Sequence, residues 1–596
     1  MSRFPSYPID ADLILRELKS FRRELLNRED FIEKRIALLS GSTISAIKNV
    51  IELFLLRDGI QPIFHESEYN RYYEDLMFPN PELERFSPDL IYIFTSNVNI
   101  LRYPGIHDSA EDVDALLASE TGRYQAMWDR ISSQYHCPVI QNNFEMPHYR
   151  LLGNLDAYEL HGRCRYVAEL NRFFAEQARV RQNLFLVDLH YLSSWFGLER
   201  WYDKTYWYMY KYAMSYEAIP HLANSVASVI KAIYGKSKKC LVLDLDNTLW
   251  GGVIGDDGLS GIQIGKETPE AEAYTEFQTY VRSLKDIGVL LAVCSKNETA
   301  NAKEGFAHPD SILKLGDFAS FKANWEPKSE NIKRIAEDLS IGRDSLVFAD
   351  DNPAERDIVR AQTPDVAVPE IGQNVTDYIH ILDQTGYFES VSLSAEDVQR
   401  SAFYAGNALR KEVEGAFTNY EEFLASLQMR AEIRSFAPIY HDRITQLINK
   451  SNQFNVTTRR YTEAEVSSLA ADPSVITLYG RLVDKFGDNG LVSIMIAKVQ
   501  DGDLHLDLWL MSCRVLKRGM ELAMFDALVG EASKRGIHTI VGYYYPTAKN
   551  AMVKGLFARV GFEKTSEDDK GNTTWRYCLS DSYTAQNLHI EVAHER

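Results

Sequence analysis

Cysteine is scarce in this chain of 596 residues, and the six that occur, Cys137, Cys164, Cys240, Cys294, Cys513 and Cys578, show no Cys-x-x-Cys spacing. Neither a structural zinc site nor a disulfide framework is indicated, and reduced thiols are expected. No run of about eighteen apolar residues occurs, and the opening residues MSRFPSYPID carry neither a basic region nor an apolar signal core. No membrane span and a cytoplasmic location are therefore expected. Positive charge is in deficit: 65 Lys and Arg face 84 Asp and Glu, for a net charge of −19 and a pI near 5.3. The average surface repels a phosphate backbone, so nucleic acid is not an expected partner. Repeats, low-complexity tracts and heptad runs are missing too, which leaves an ordinary chain long enough for about three or four domains.

Four short segments stand out against that background: CLVLDLDNTLWGG at Cys240 to Gly252, LLAVCSKN at Leu290 to Asn297, EPKSENI at Glu326 to Ile332 and SLVFADDNP at Ser345 to Pro353. LVLDLDNT ends an apolar run of strand length with two carboxylates and a hydroxyl. That places all three at the carboxyl end of a strand, where open α/β sheets bind ligands.

In this order the segments resemble the catalytic signature of haloacid-dehalogenase (HAD) phosphotransferases. In that chemistry Asp244 attacks a phosphoryl group, Asp246 protonates the leaving oxygen and later activates water, and Thr248 holds the transferred phosphoryl. Acidic groups facing a phosphate need a cation, so Mg²⁺ is expected, with Asp244, Asp246, Asp350 and Asp351 as the candidate metal shell. Either Asp350 or Asp351 could be the direct ligand. Lys328, which opens a helical pattern with Ile332, Ile335, Ala336 and Leu339 on one face, supplies positive charge; Lys322 is a second candidate. Ser295 donates to a phosphoryl oxygen. The intervals between these segments leave room for a Gly-rich flap, WGGVIGDDGLSGIQIG, and one helix, but not for a separate cap domain. A capless HAD core of Rossmann-like parallel sheet follows, open to large or macromolecule-borne substrates. The flap glycines also read as simple turns.

Before this core, apolar runs alternate with helical patterns, which implies another parallel α/β sheet. Ser42 in LLSGST lies at a strand-to-helix turn, with TSNVN at Thr95 to Asn99 and QNNF at Gln141 to Phe144 after later strands. The layout resembles SGNH-type esterases, but VDLH sets Asp188 and His190 only two apart, and His221 lies further on. Without a placed base Ser42 is not an activated nucleophile; both an esterase and a binding or docking domain remain open.

After the core, LVSIMIAKV, DLHLDLWLMS and TIVGYYYP read as strands and ELAMFDALVGEASKRG as an amphipathic helix. With Asn550 before GLFARVGFEK, this resembles the GNAT acyltransferase pattern, an α+β fold. Its pyrophosphate turn is represented by Arg514, Lys517 in place of a glycine, and Gly519, so Arg514, Gly519 and Asn550 are the candidate pantetheine-binding residues. NQFNVTTRRY and VDKFGDNG read as solvated loops or as a pocket.

Taken together, an SGNH-like α/β domain over 1–236, the HAD core over 237–369, a helical connector over 370–429 and a GNAT-like domain over 430–596 resemble the FkbH-like family. The resemblance implies that a phosphorylated three-carbon acyl donor, 1,3-bisphosphoglycerate, loses phosphate and that its glyceryl group is loaded on the phosphopantetheine thiol of an acyl carrier protein. Cys513, ending a strand beside Arg514, is a candidate transient acyl carrier or an inert packed cysteine. The alternatives are a plain Mg²⁺-dependent phosphatase acting on a phosphosugar or other small phosphate, and a noncatalytic scaffold for carrier proteins.

Overall fold

A computed structural model describes residues 4, 8–28, 31–393, 403, 406, 410, 413–414, 417–547, 549–580 and 583–593. The chain forms two compact units, Ser2–Ile233 and Tyr234–Arg596. Most of the expected connector helix AEDVQRSAFYAGNALRKEVEG lies outside the described residues. Among the described residues no helix is long and apolar enough to cross a membrane.

In the first unit five parallel strands, β1 (Ile32–Ser40), β2 (Ile60–Glu66), β3 (Leu90–Phe94), β4 (Val139–Asn142) and β5 (Leu184–Val187), lie in the order β2-β1-β3-β4-β5. The five residues of β3 are all buried, as expected of a strand covered on both faces. Helix Ser45–Arg57 buries Val50, Ile51 and Leu53 to Leu56 after β1. On one face an aromatic core of Tyr124, Trp128, Phe144 and Phe174 fills the space. The strand order reverses between β1 and β3, so the crevice outside their carboxyl ends is the one the fold leaves for a ligand.

The second unit begins with a four-stranded parallel sheet, β6 (Cys240–Leu243), β7 (Leu290–Ser295), β8 (Ser320–Ala323) and β9 (Leu346–Ala349), in the order β8-β7-β6-β9. It is the expected Rossmann-like HAD core. Only a flap with the short helix Ile254–Asp257 and the helix Pro269–Asp286 separate β6 from β7. Between β7 and helix Lys328–Asp338 lie one six-residue helix, two 3-10 turns and β8, so neither interval holds a cap domain.

The same unit continues into a mixed sheet: β10 (Met429–Arg434), β11 (Phe454–Asn455), β12 (Val475–Asp484), β13 (Gly487–Gln500), β14 (Asp503–Met511), β15 (Thr539–Tyr544), β16 (Glu563–Glu567), β17 (Thr573–Cys578) and β18 (Ile590–Ala593). Its order is β16-β17-β15-β14-β13-β12-β10-β18, with β11 beside β14. Helix Met520–Lys534 packs Met520, Met524, Phe525 and Leu528 into its core. The central β14 and β15 run parallel but pair only over Leu504–Leu506 and Ile540–Gly542, then part. This is the α+β arrangement expected of a GNAT-like domain.

Candidate active site

Strand β6 ends in a single tight turn in which the N–H groups of Thr248 and Leu249 donate to Leu245 O. Asn247 takes φ +54°, and its side-chain oxygen accepts from Gly252 N at 2.9 Å, which closes the turn. Asp244 therefore stands at the sheet's carboxyl edge. β9 delivers Asp350 and Asp351 to the same edge, and the ligand atoms of the three carboxylates lie within 4.8 Å of one another. Among the described residues, Oδ1 of Asp244 is buried without a hydrogen-bond partner. A buried carboxylate oxygen with no donor is costly unless a cation meets it, so the group fits a hard divalent cation with oxygen ligands.

Lys328 enters from the first turn of its helix, with Nζ 2.8 Å from Asp244 Oδ2 and 2.5 Å from Asp350 Oδ2. Burial works against its charge, but the two carboxylates outweigh burial and hold the ammonium well above its ordinary range. Lys322 pairs instead with Asp338 at 2.8 Å, outside the site. Burial and then the charge of Asp244 push Asp350 up to about 7 against the pull of Lys328. Both oxygens of Asp350 are occupied, one by Lys328 and one by Asn352 N at 2.9 Å, whereas Asp351 Oδ1 sits 3.4 Å from the Thr248 hydroxyl. Ser295 ends β7, buried at the same edge.

Asp246 departs from the expectation of four metal carboxylates: it is not in the metal-ready group. Its carboxylate is held by three donors, Trp250 Nε1 at 2.9 Å and Ile254 N at 3.0 Å on Oδ1, and Asn297 Nδ2 at 2.8 Å on Oδ2. Burial pushes this carboxyl above the ordinary range, against the Ile254 and Trp250 N–H groups. Trp250 and Asn297 were not singled out by sequence reasoning, although both stand inside the recognised segments. Arg356 was missed as well; its guanidinium donates to the carbonyls of Asp350 and Asp351, both at 2.7 Å, and props the acidic pair.

In the first unit Ser42 lies at the switch-point crevice, 1% exposed, its hydroxyl without a partner among the described residues. Asn99 Nδ2 donates to Gly41 O at 2.8 Å, and a Cβ at Gly41 would sit 2.4 Å from Asn99 Cγ, so the turn requires glycine. Among the described residues no histidine is hydrogen-bonded to the Ser42 hydroxyl. Asp188 caps the helix Leu189–Phe196 and accepts from Asn143, while His221 lies against Trp195 and Phe196, where burial and then Arg200 push it down to about 4. The serine is present, but among the described residues no base is hydrogen-bonded to it.

In the mixed sheet the gap between β14 and β15 is filled by the chain itself. Phe454 and Asn455 pair with Met511 and Leu510, Val456 N donates to Trp509 O, and Tyr545 N donates to Val456 O. Asn550, expected to bind pantetheine, is consumed in holding this insert: its Nδ2 donates to Asn455 O and Tyr545 O, both at 2.9 Å, and its Oδ1 accepts from Thr547 N at 2.7 Å. Arg514 is likewise turned inward, its Nε 3.2 Å from the Ser512 hydroxyl and its guanidinium over the Phe403 ring. Lys517 takes φ +64° and Gly519 φ +79°, so the lysine adopts the left-handed conformation that glycine would otherwise supply. Only these two residues of the expected turn keep its form, and Glu521 puts a carboxylate in the first turn of the helix that follows. Cys513 is half-buried and packs against the apolar cluster of the HAD sheet, the surroundings of a packed thiol.

A family model described as FkbH, N-terminal domain, matches residues 35–231. Among solved structures, the chain is 32% identical to the N-terminal part of a Bacteroides fragilis protein containing a phosphatase domain, in complex with Mg; the match covers 63% of this chain and 99% of that one, with a TM-score of 0.57. The ribosomal-protein-S18-alanine N-acetyltransferase of Escherichia coli matches at 17% identity over 26% of this chain and 98% of its own, with a TM-score of 0.20. The GNAT domain of PAT from S. lividans matches at 14% identity over 25% and 89%, with a TM-score of 0.21. No curated protein matches the chain.

Proposed function

Because the chain belongs to the FkbH-like family, we propose that it is a cytoplasmic, Mg²⁺-dependent HAD-type phosphatase that dephosphorylates 1,3-bisphosphoglycerate and loads the glyceryl group on the phosphopantetheine thiol of an acyl carrier protein. The observation that carries the phosphatase half is the buried, unpartnered Asp244 Oδ1 among Asp350, Asp351 and Lys328. In this reading Asp244 attacks phosphorus and Asp246 gives a proton to the leaving oxygen, then takes one from the attacking water. Thr248 and Ser295 donate to the phosphoryl oxygens, and Lys328 steadies the nucleophile and the charge developing beside it. Asp244, Asp351 and, behind it, Asp350 would hold Mg²⁺, which when bound neutralises phosphate charge and polarises the phosphoryl oxygen. The free oxygen of Asp244 and the double engagement of Asp350 favour Asp351 over Asp350 as the direct partner.

The acyl half is chemically compatible with this site. An acyl phosphate is already activated toward a thiol, whereas the phosphate monoester at the other end needs an enzyme to cleave it. The absence of a cap between β6 and β8 leaves the site open to a carrier-borne substrate.

A second reading, a plain phosphatase acting on a small phosphate, is favoured by the chain's own filling of the β14–β15 gap and by the packed Cys513. Intact-mass spectrometry of candidate carrier proteins incubated with the enzyme, Mg²⁺ and 1,3-bisphosphoglycerate separates the two. A glyceryl adduct supports the transfer reading; released phosphate with unmodified carriers supports the plain phosphatase.

A further inference from the structure

The reach of the flap into the site ends on Asp246, and every donor that holds this carboxylate comes from a residue outside the metal-ready group. Trp250 Nε1 and Ile254 N, at 2.9 and 3.0 Å, converge on Oδ1; Asn297 Nδ2, at 2.8 Å, meets Oδ2. Trp250 is wholly buried, with its ring edge-on to Phe306 at 5.3 Å, and a Cβ at Gly305 would stand 2.6 Å from the indole. Its place is therefore set by close packing, which leaves the indole N–H one direction in which to point. Asn297 is buried as well, just beyond β7. Ile254 opens the flap helix, whose first N–H groups have no partner within the helix, so Asp246 also anchors the flap.

We propose that Trp250 and Asn297 are positioning residues that fix which oxygen of Asp246 delivers the proton to the leaving group, an inference that rests on the phosphatase reading above. Oδ1 accepts two N–H donors and has no lone pair left for a proton. Oδ2 accepts one and can carry the hydrogen while still accepting from Asn297. In the first step the P–O bond to Asp244 forms, the P–O bond to the leaving group breaks, and the proton on Oδ2 passes to the departing oxygen. In the second step Oδ2 takes a proton from water, whose oxygen bonds to phosphorus as the Asp244–phosphorus bond breaks. Both steps use the same oxygen, so one fixed orientation serves the whole cycle.

A leaving group that departs as a stable anion needs no proton, whereas an alkoxide does. Loss of the clamp should therefore be selective. The test compares the full-length chain with Trp250→Phe and Asn297→Ser on p-nitrophenyl phosphate, on an acyl phosphate such as acetyl phosphate, and on alkyl phosphate monoesters, with Mg²⁺ throughout. For alkyl phosphates we expect kcat/KM, which reads the steps up to phosphoryl transfer to Asp244 and not the later hydrolysis common to all substrates, to fall about 30-fold or more in each variant, a large part of the roughly 10²–10⁴-fold that positioned proton transfer contributes. For p-nitrophenyl and acetyl phosphate a fall of less than about 3-fold in kcat/KM is expected, so that the dependence of this constant on leaving-group basicity steepens. The two variants act on different oxygens, so a folding defect peculiar to the buried tryptophan does not mimic the result in Asn297→Ser. Equal losses of kcat/KM for all three substrate classes in both variants would overturn the proposal and leave Trp250 and Asn297 as packing residues. Turnover of p-nitrophenyl phosphate that survives Asp244→Asn would instead overturn the phosphatase reading itself.

Discussion

Replacing Lys328 with methionine keeps most of the side chain's volume and removes a charge that lies 2.8 Å from Asp244 and 2.5 Å from Asp350. What remains is a group of three carboxylates with ligand atoms within 4.8 Å of one another. Two unit charges at about that spacing repel by about 3 kcal/mol at an effective dielectric constant of about 20. Breaking a buried ion pair by removing one partner costs about 3–5 kcal/mol. Lys328→Met should therefore lower the opening free energy of the HAD sheet by about 3–4 kcal/mol in EDTA. A divalent cation replaces the missing charge, so the variant should bind Mg²⁺ more tightly and be stabilised by it more than the wild type. Global unfolding of a multidomain chain is not two-state, so the readout is native-state hydrogen exchange at the amides of β6 and β9, with and without Mg²⁺. A loss below about 1 kcal/mol in EDTA, comparable to a surface substitution, would refute the claim that Lys328 is the counter-charge of this cluster. Equal Mg²⁺ stabilisation of both proteins would refute it independently.

Asp244→Asn should abolish Mg²⁺-dependent phosphate release, whereas Asp246→Asn should slow hydrolysis of the aspartyl phosphate so that phosphoenzyme accumulates in rapid-quench experiments; normal turnover in the first variant sinks the assignment. Ser42→Ala should leave both phosphate release and the rate with simple esters unchanged, because no base stands beside the hydroxyl, and ester turnover lost with that change would show otherwise. Glu145 is fully enclosed against Asn97, and burial pushes its carboxyl up to about 8 despite backbone N–H donors. The folded state thus holds a proton that the unfolded state has released between about pH 4.5 and 8, so stability falls as pH rises through that window. Glu145→Gln should flatten the fall, by at most about 4 kcal/mol at pH 8, as read by hydrogen exchange in β3 and β4; an unchanged slope counts against it. Finally, titration calorimetry should find no binding of free coenzyme A tighter than about 1 mM, and Cys513→Ser should leave any carrier acylation intact; an acyl-enzyme adduct lost in that variant would restore the cysteine to the chemistry.

What the residues alone determined is the part of this protein written in local sequence. An apolar run ending in DLDNT must put its carboxylates at a strand's carboxyl end, and the short intervals to Ser295 and Lys328 leave no room for a cap, because both follow from chain length and strand period. The parallel α/β character of the first domain and the β-rich character of the last were legible for the same reason. Contacts between residues distant in sequence were not. The choice of Lys328 over Lys322 depended on which ammonium reaches Asp244, with Asp338 taking the other. Asp246 stands outside the metal-ready group, and its oxygens are taken up by Trp250 and by Asn297, the latter 51 residues away. Asn550 and Arg514 fit a pantetheine motif by spacing, yet Asn550 is consumed by the carbonyls of Asn455 and Tyr545, the former 95 residues away. Spacing along a chain fixes which groups share an element; only packing decides which of the donors and acceptors brought together are satisfied by the protein and which are left for a ligand.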